Sequence, residues 1–138
     1  MANDLTVPVR RAVVDALGEI ADVASAVGTR IYGPAVVAEP TWPFLRVEAS
    51  SIPKRASGLD GSTCDITVHT FAKGDDEAAC GAIASAAVSG LERRTLPLTA
   101  DTAARVYSIQ WISTQIIPDG DEADAWHEIT RLQGRVIS

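Results

Sequence analysis

The chain has 138 residues, with 18 acidic and 12 basic side chains and a net charge of −6. This length suffices for one domain with its own core, and 46% hydrophobic and 22% charged residues are typical of an ordinary globular protein. The acidic balance argues against non-specific nucleic-acid binding, which depends on clustered cations. The basic pairs Arg10-Arg11, Lys54-Arg55 and Arg93-Arg94 are separate and indicate solvated surface. We expect one domain over residues 1–138 that has no sequence-specific nucleic-acid partner.

Targeting and redox signals are weak. Residues 1–5 lack the basic and apolar regions of a secretory signal, and no apolar run approaches the roughly 18 residues that a membrane helix needs. We therefore expect a protein that is made in a cytoplasm and has no membrane partner. Cys64 and Cys80 lack CxxC spacing, so we expect both to be buried free thiols.

The first element is an amphipathic helix predicted over residues 8–27. Its apolar stripe consists of Val9, Ala12, Val13, Ala16, Leu17, Ile20 and Ala24. Pro8 suits the first turn, and Gly28 suits the end. Whether residues 22–27 form a separate short turn of helix stays open.

A sheet is predicted after Gly28. Prolines at 34, 40 and 43 exclude helix and favour extended backbone before them. Alternation of apolar and polar residues predicts strands over 45–50 and 63–71. The segment between them, residues 51–61, is rich in turn formers and too long for a tight hairpin, so we expect a loop that projects from the body.

A second helix is predicted over residues 75–92. Asp75, Asp76 and Glu77 favour its positive N-terminal end, and the Arg93-Arg94 pair suits its C-terminal end. Its interior is rich in alanine, which lets the helix axis lie close to the sheet. Residues 95–98 then form a short extended connection.

The last third is predicted to be a long hairpin, with strands over 105–117 and 125–137 and a turn at 118–121. The first strand is apolar on both faces: Tyr107, Ile109 and Trp111 alternate on one, while Val106, Ile112 and Ile116 lie on the other. Two explanations are open. Either a second copy of the chain covers the face that the helices leave free, which we favour, or a β-bulge switches the faces partway along.

No pattern predicts a catalytic residue, a bound cofactor or a metal ion. His69 and His127 are interpreted as sheet residues, and the cluster Asp119, Asp121, Glu122 and Asp124 as a hairpin turn without calcium-loop spacing. The predicted fold class is α+β: an antiparallel sheet of about four main strands with two helices packed on one face, in the order α-β-β-α-β-β.

This layout resembles the tail-completion, or tail-terminator, family of long-tailed bacteriophages and gene transfer particles. The resemblance spans nearly the whole chain, and its most specific parts are residues 27–32, 43–47, 77–91 and 118–120. The acidic, lengthened turn at residues 119–124 departs from the shorter turns typical of the family.

The resemblance implies a non-enzymatic virion protein of the tail or neck, made in the host bacterium. Family members form a six-fold ring on the head-proximal end of the tail tube, where they end tube polymerisation and face the head connector. The implied partners are therefore further copies of the chain, the tail tube protein and the head connector or stopper protein, with DNA passing through the ring. The loop residues Lys54, Arg55, Ser57 and Asp60 are the expected partner contacts. The alternatives are a head-completion or neck component and, less favoured, a small α+β ligand-binding domain.

Overall fold

In the computed structural model, helices pack on one face of a six-stranded sheet. The structure describes residues 4–35, 37–54, 61–98, 104–120 and 124–137. The helices are α1 (Thr6–Glu19), α2 (Ala21–Val27) and α3 (Ala78–Leu91). The strands are β1 (Ile31–Tyr32), β2 (Phe44–Lys54), β3 (Gly61–Lys73), β4 (Leu96–Pro97), β5 (Arg105–Pro118) and β6 (Ala125–Ile137). No helix in these ranges is both long and apolar enough to cross a bilayer.

The predicted α+β class is confirmed. The prediction of about four strands and two helices was too low, since the described residues form six strands and three helices. The strand order is β1-β2-β3-β6-β5-β4, in which β1 is parallel to β2 and all other neighbours are antiparallel. The two unpredicted strands, β1 and β4, have two residues each. Strands this short show no alternation of apolar and polar residues, so only their pairing with a longer strand reveals them.

Ile20 divides the helix that was predicted over residues 8–27. It has an extended conformation, with φ −79° and ψ 116°, and separates α1 from α2. Its side chain packs against Gly90 of α3, where a Cβ atom would overlap it. Because this contact between helices fixes Ile20 outside helical geometry, the apolar pattern continues while the helix does not.

The hairpin of β2 and β3 is longer than predicted. Its register runs from Phe44 opposite Phe71 to Lys54 opposite Gly61, so the prediction of a loop was wrong for residues 51–54 and for Gly61. Pro53 is compatible with this strand because β1 reaches only as far as Arg46, and no other described strand pairs with that side of β2. Residues 55–60 connect the two strands and lie outside the described part of the chain.

The core lies between the helices and one face of the sheet, which we call the helix face. It buries Leu17 of α1, Leu45 of β2, Ile66 of β3 and Leu91 of α3 completely. Cys64 and Cys80 are buried and free, as predicted. Burial raises the pKa of the Cys64 thiol to about 11 and that of the Cys80 thiol to about 12.

The start of α3 lies three residues beyond the predicted position at Asp75. The backbone N–H of Ala78 donates a hydrogen bond to Oδ1 of Asp76 at 2.9 Å. The acidic residues therefore precede the helix and satisfy one of its free N–H groups, instead of forming its first turn.

Candidate functional site

Irregular pairing in β5 changes which side chains face the core. The register between β5 and β6 shifts between Tyr107 and Gln110 and again between Trp111 and Ser113. Ser108, at the first shift, has a φ of +52°. As a result Val106 and Ile109, which strict alternation would place on opposite faces, are both fully buried. The bulge that we considered less favoured is therefore present and accounts for part of the two-sided apolar pattern.

Three apolar side chains of β5 stay exposed despite the bulge: Trp111 by 50%, Ile112 by 57% and Ile117 by 36%. We call these three residues the β5 surface. They lie in a strand that carries no charged side chain between Arg105 and Asp119. Trp111 is paired with Leu132 and faces the helices, whereas Ile117 is paired with His127 and faces the opposite side of the sheet. Exposed apolar side chains therefore flank this strand on both faces, and such side chains are typical of interaction sites.

The β5 surface also lies at a free edge of the sheet. β4 pairs with β5 only through Leu96 opposite Val106 and Pro97 opposite Arg105. From Trp111 to Pro118, β5 has a strand neighbour on one side alone, as far as the described ranges extend. Soluble proteins usually protect such an edge with charge or with a covering segment, so this edge is suited to pairing or packing with another chain.

A groove of about 380 Å³ separates α3 from the outer half of β5. Its floor consists of α3 residues with small or medium side chains, and Trp111 and Thr114 form the opposite wall. Nε1 of Trp111 donates a hydrogen bond to Oγ1 of Thr114 at 2.7 Å, which fixes the indole ring along the wall. The α3 residues are Gly81, Ala84, Ser85, Val88 and Ser89.

Two carboxylates belong to this groove. Glu128, on β6, is only 7% exposed, and its side chain has no hydrogen-bond or ion-pair partner among the described residues. Burial raises the pKa of Glu128, since an ionised carboxylate loses hydration there. Glu92, at the rim, accepts a hydrogen bond at 3.3 Å from the backbone N–H of Trp111. None of the groove's lining residues is basic, so the groove is apolar and acidic.

A second concave region adjoins the same edge. It measures about 480 Å³ and lies between the segment of Glu92 and Thr95 and the bulged part of β5. Glu92 and Trp111 line both concave regions, so these two residues separate the groove from the second region along the free edge. The backbone N–H of Arg93 donates to the carbonyl of Ile109 at 2.8 Å, which holds the α3–β4 connection against β5.

Aromatic and imidazole rings cluster on the sheet face opposite the helices. Phe44 and Phe71 stack with centroids 4.6 Å apart, and His127 stacks on Phe71 at 4.2 Å. Trp42 packs edge-on against both phenylalanines. The register of β2, β3 and β6 brings these rings together, because cross-strand partners face the same way.

His69 and His127 meet in this cluster, a contact that sequence reasoning missed. Oε1 of Glu48 lies 3.5 Å from Nε2 of His69. Across the described ranges, no three His, Cys, Asp or Glu side chains come together as a metal site would require. The histidines lie 58 positions apart, so only knowledge of the β3–β6 register could have predicted their contact.

The predicted contact loop falls almost wholly outside the described residues, so its role stays a prediction. Lys54 is the last residue of β2, while Arg55, Ser57 and Asp60 fall outside the described residues. The groove, by contrast, was not predicted. Its one sequence signal is Glu128, a charged residue on the β6 face whose other members include Leu132 and Val136.

Comparisons with known proteins place the chain in a family. A family model described as "Tail completion protein gp17" matches residues 11–134. A chain in the solved structure "Virion of native gene transfer agent (GTA) particle" has the same fold, with a TM-score of 0.78 and 18% identity over 96% of each chain. No curated protein matches the sequence.

The family match covers nearly all of the described elements: it begins within α1 and ends within β6. The earlier resemblance, which was based on the layout and on the segments around Gly28 and Phe44, is thereby confirmed. This chain belongs to the tail completion protein gp17 family.

Proposed function

We propose that this chain caps the head-proximal end of a phage or phage-like tail tube as a ring, ends tube polymerisation and forms the surface that joins the head. A structural role in the tail follows from membership in a tail completion family. The partners in this proposal are identical copies of the chain, the tail tube protein and the head connector or stopper protein. This role requires shape and surface chemistry and no catalytic step.

The proposal of a ring is based mainly on the β5 surface at the free edge of the sheet. Trp111 and Ile112 are each at least half exposed on a strand segment without charge. A single copy gains hydrophobic free energy when another chain covers these side chains. Contact through unlike surfaces closes into a ring when its rotation divides a full turn, and a stable contact of this kind buries on the order of 1,600 Å² in total.

Particle morphology tests the function. In particles that lack the protein, we expect tubes of uncontrolled length, because nothing ends their growth. Electron microscopy of such a preparation separates this role from that of a head-completion or neck component, whose loss leaves free tails of normal length. Normal tails without heads would therefore contradict the capping role and favour the neck position.

Variants of the β5 surface test the observation that carries the proposal. Ile112→Thr removes exposed apolar area, so we expect it to change the free energy of unfolding by about 0.5 kcal/mol or less. Trp111→Thr also loses the hydrogen bond to Thr114 and should cost about 1–2 kcal/mol, which leaves the chain folded. Assembly on tubes should nevertheless be lost, as measured by native mass spectrometry and by tail length. Ile52→Thr, at a residue that is 50% exposed on β2, is the matched control. Normal rings and normal tails with both β5 variants would contradict the proposal.

The β2–β3 hairpin is proposed to reach an adjacent component of the tail. Strands of 11 and 13 residues carry residues 55–60 at their end. We propose contacts of Lys54, Arg55, Ser57 and Asp60 with the tail tube protein or a neighbouring copy. The double variant Lys54→Glu/Arg55→Glu should fold normally and fail to cap tails. Tails of normal length that join heads would show that this assignment is wrong.

A further inference from the structure

The groove between α3 and β5 ends in an acid that is buried without a partner. Glu128 is only 7% exposed, and no cation within the described residues reaches its carboxylate. Its oxygens are not among the fully buried atoms without a partner, so they reach solvent through the groove. A carboxylate with this little hydration gains free energy when a donor or a cation reaches it. The remaining lining is apolar or uncharged except for Glu92, so the groove suits a segment that brings one cation among small apolar side chains.

The outer face of α1 offers such a cation beside an apolar side chain. Residues at spacings of four and seven along a helix share a face, which places Val7, Arg11 and Gly18 together on the side away from the core. Val7 is 48% exposed, and nothing lies within 4 Å of a Cβ atom added at Gly18. Arg11 is exposed and has no partner within the described part of the chain. Arg11 is therefore an exposed cation beside an apolar side chain and a gap, with the exposed Asp15 one helical turn further along the same side.

We infer that the groove receives the outer face of α1 from a second copy of the chain, so that Arg11 of that copy meets Glu128 while Val7 covers Trp111. This contact rests on the proposed ring, because it specifies which two surfaces of neighbouring copies meet. The surfaces are different parts of the chain, α1 on one copy and the α3–β5 groove on the next. The contact is therefore heterologous, as a closed ring of more than two copies requires.

Arg11 is the charge on α1 that favours this pairing, and the exposed Asp15, one helical turn away, opposes it. The groove offers Glu128 and Glu92 and no basic residue. A guanidinium between them would gain charge-assisted hydrogen bonds and would replace the hydration that Glu128 has lost. The same pairing excludes the symmetric alternative of groove against groove, since that arrangement would bring four carboxylates together.

Cysteine cross-linking tests the contact directly. Ser85 lies on the groove floor and is exposed, and both native thiols are buried. We expect the double variants Val7→Cys/Ser85→Cys or Gly18→Cys/Ser85→Cys, treated with a short bis-maleimide on assembled rings, to give a ladder of multimers that ends at the ring number. A mixture of the corresponding single variants should stop at dimers. The control pair Asp22→Cys/Ser85→Cys, with the first cysteine on α2, should stay monomeric.

A charge exchange tests the electrostatic part. We expect Arg11→Glu to weaken association about tenfold or more, and Glu92→Arg in the same chain to restore it. Glu128→Gln keeps the shape of the side chain and should weaken association less than Arg11→Glu does. If rings form normally with Arg11→Glu, or if neither cross-linking pair yields multimers from assembled rings, this contact is wrong.

The outcomes distinguish this contact from the function on which it rests. Rings that cap tails of normal length without the α1–groove cross-link would overturn the contact and leave the capping role intact. Wild-type chains that form no ring, alone or on tail tubes, would overturn both. A multimer ladder in rings that do not limit tail length would support the contact and contradict the capping role.

Discussion

The imidazoles of His69 and His127 lie in direct contact, with Nδ1 of His69 2.8 Å from Nε2 of His127. At this distance one ring donates its N–H to the unprotonated nitrogen of the other, so two protonated rings cannot form the bond. Burial lowers the pKa of both histidines, and for His127 the neighbouring His69 lowers it further. The folded protein therefore favours neutral imidazole more than the unfolded chain does.

Acidification below the ordinary histidine pKa of 6.5 should consequently destabilise the fold. Between about pH 6.5 and 5 the unfolded chain takes up protons that the folded pair resists, so the free energy of unfolding falls as the pH falls. The slope is at most about 2.7 kcal/mol per pH unit for two protons. Glu48 and Asp119 oppose the effect, whereas Arg46 and Arg131 reinforce it. Urea denaturation at a series of pH values measures the slope.

The double variant His69→Gln/His127→Phe is the control for this prediction. It removes both titrating groups and keeps an aromatic ring stacked on Phe71. We expect the free energy of unfolding of this variant to change less between pH 6.5 and 5. An equal slope in the variant and the natural chain would assign the pH dependence to other groups.

Gly90 accommodates Ile20, and we expect Gly90→Ala to destabilise the protein. A methyl group there overlaps the Ile20 side chain. The overlap costs about 1–3 kcal/mol, which exceeds the gain of about 1 kcal/mol in helix propensity. Gly81→Ala, on the same helix, meets its nearest atom at 3.9 Å and should be neutral or stabilising. Guanidinium denaturation measures both, and a stabilised Gly90→Ala variant would contradict the packing.

The double variant Gly90→Ala/Ile20→Ala isolates this contact from the cavity that Ile20→Ala creates. We expect the two substitutions together to cost at least about 0.5 kcal/mol less than the sum of the single costs, since the residues are in contact. Strict additivity would show that Gly90 and Ile20 do not constrain each other.

Arg30 ties the end of α2 to the segment that precedes β2. Its Nε donates to the carbonyl of Pro43 at 2.9 Å, and its Nη2 donates to the carbonyl of Ala26 at 3.2 Å. We expect Arg30→Met to lower the free energy of unfolding by about 1.5–3 kcal/mol, since two acceptors lose a charged donor. Arg135→Met, at an exposed position of β6, is the control and should change it by about 0.5 kcal/mol or less. Equal stability of both variants would contradict a structural role for Arg30.

The two thiols should be inert in the folded protein. Cys64 and Cys80 are at most 1% exposed, and their raised pKa values leave very little thiolate at pH 8. We expect a disulfide reagent such as DTNB to modify both cysteines rapidly in denaturant and neither in native buffer on the same timescale. Rapid modification of one thiol per native chain would show that a cysteine is accessible.

The layout of this fold was largely predictable because its elements follow local rules. Two apolar runs on either side of a Pro-Asp-Gly turn predicted the terminal hairpin at residues 105–117 and 125–137, and the observed strands differ from this by one residue at Pro118. Propensity and acidic residues located α3 to within three residues at its start. These signals depend on neighbours in the chain, so the sequence alone contains them.

The candidate site was decided by contacts between distant residues. The groove exists because the register of β5 and β6 sets Trp111 opposite Leu132, and because α3 covers the sheet only up to Glu128. Likewise, the break at Ile20 follows from its packing against Gly90. Sequence patterns determined which segments are helices and strands, since hydrophobic periodicity is local. The bulge, the free edge and the unpartnered carboxylate depend on cross-strand register and helix placement, which only the tertiary structure fixes.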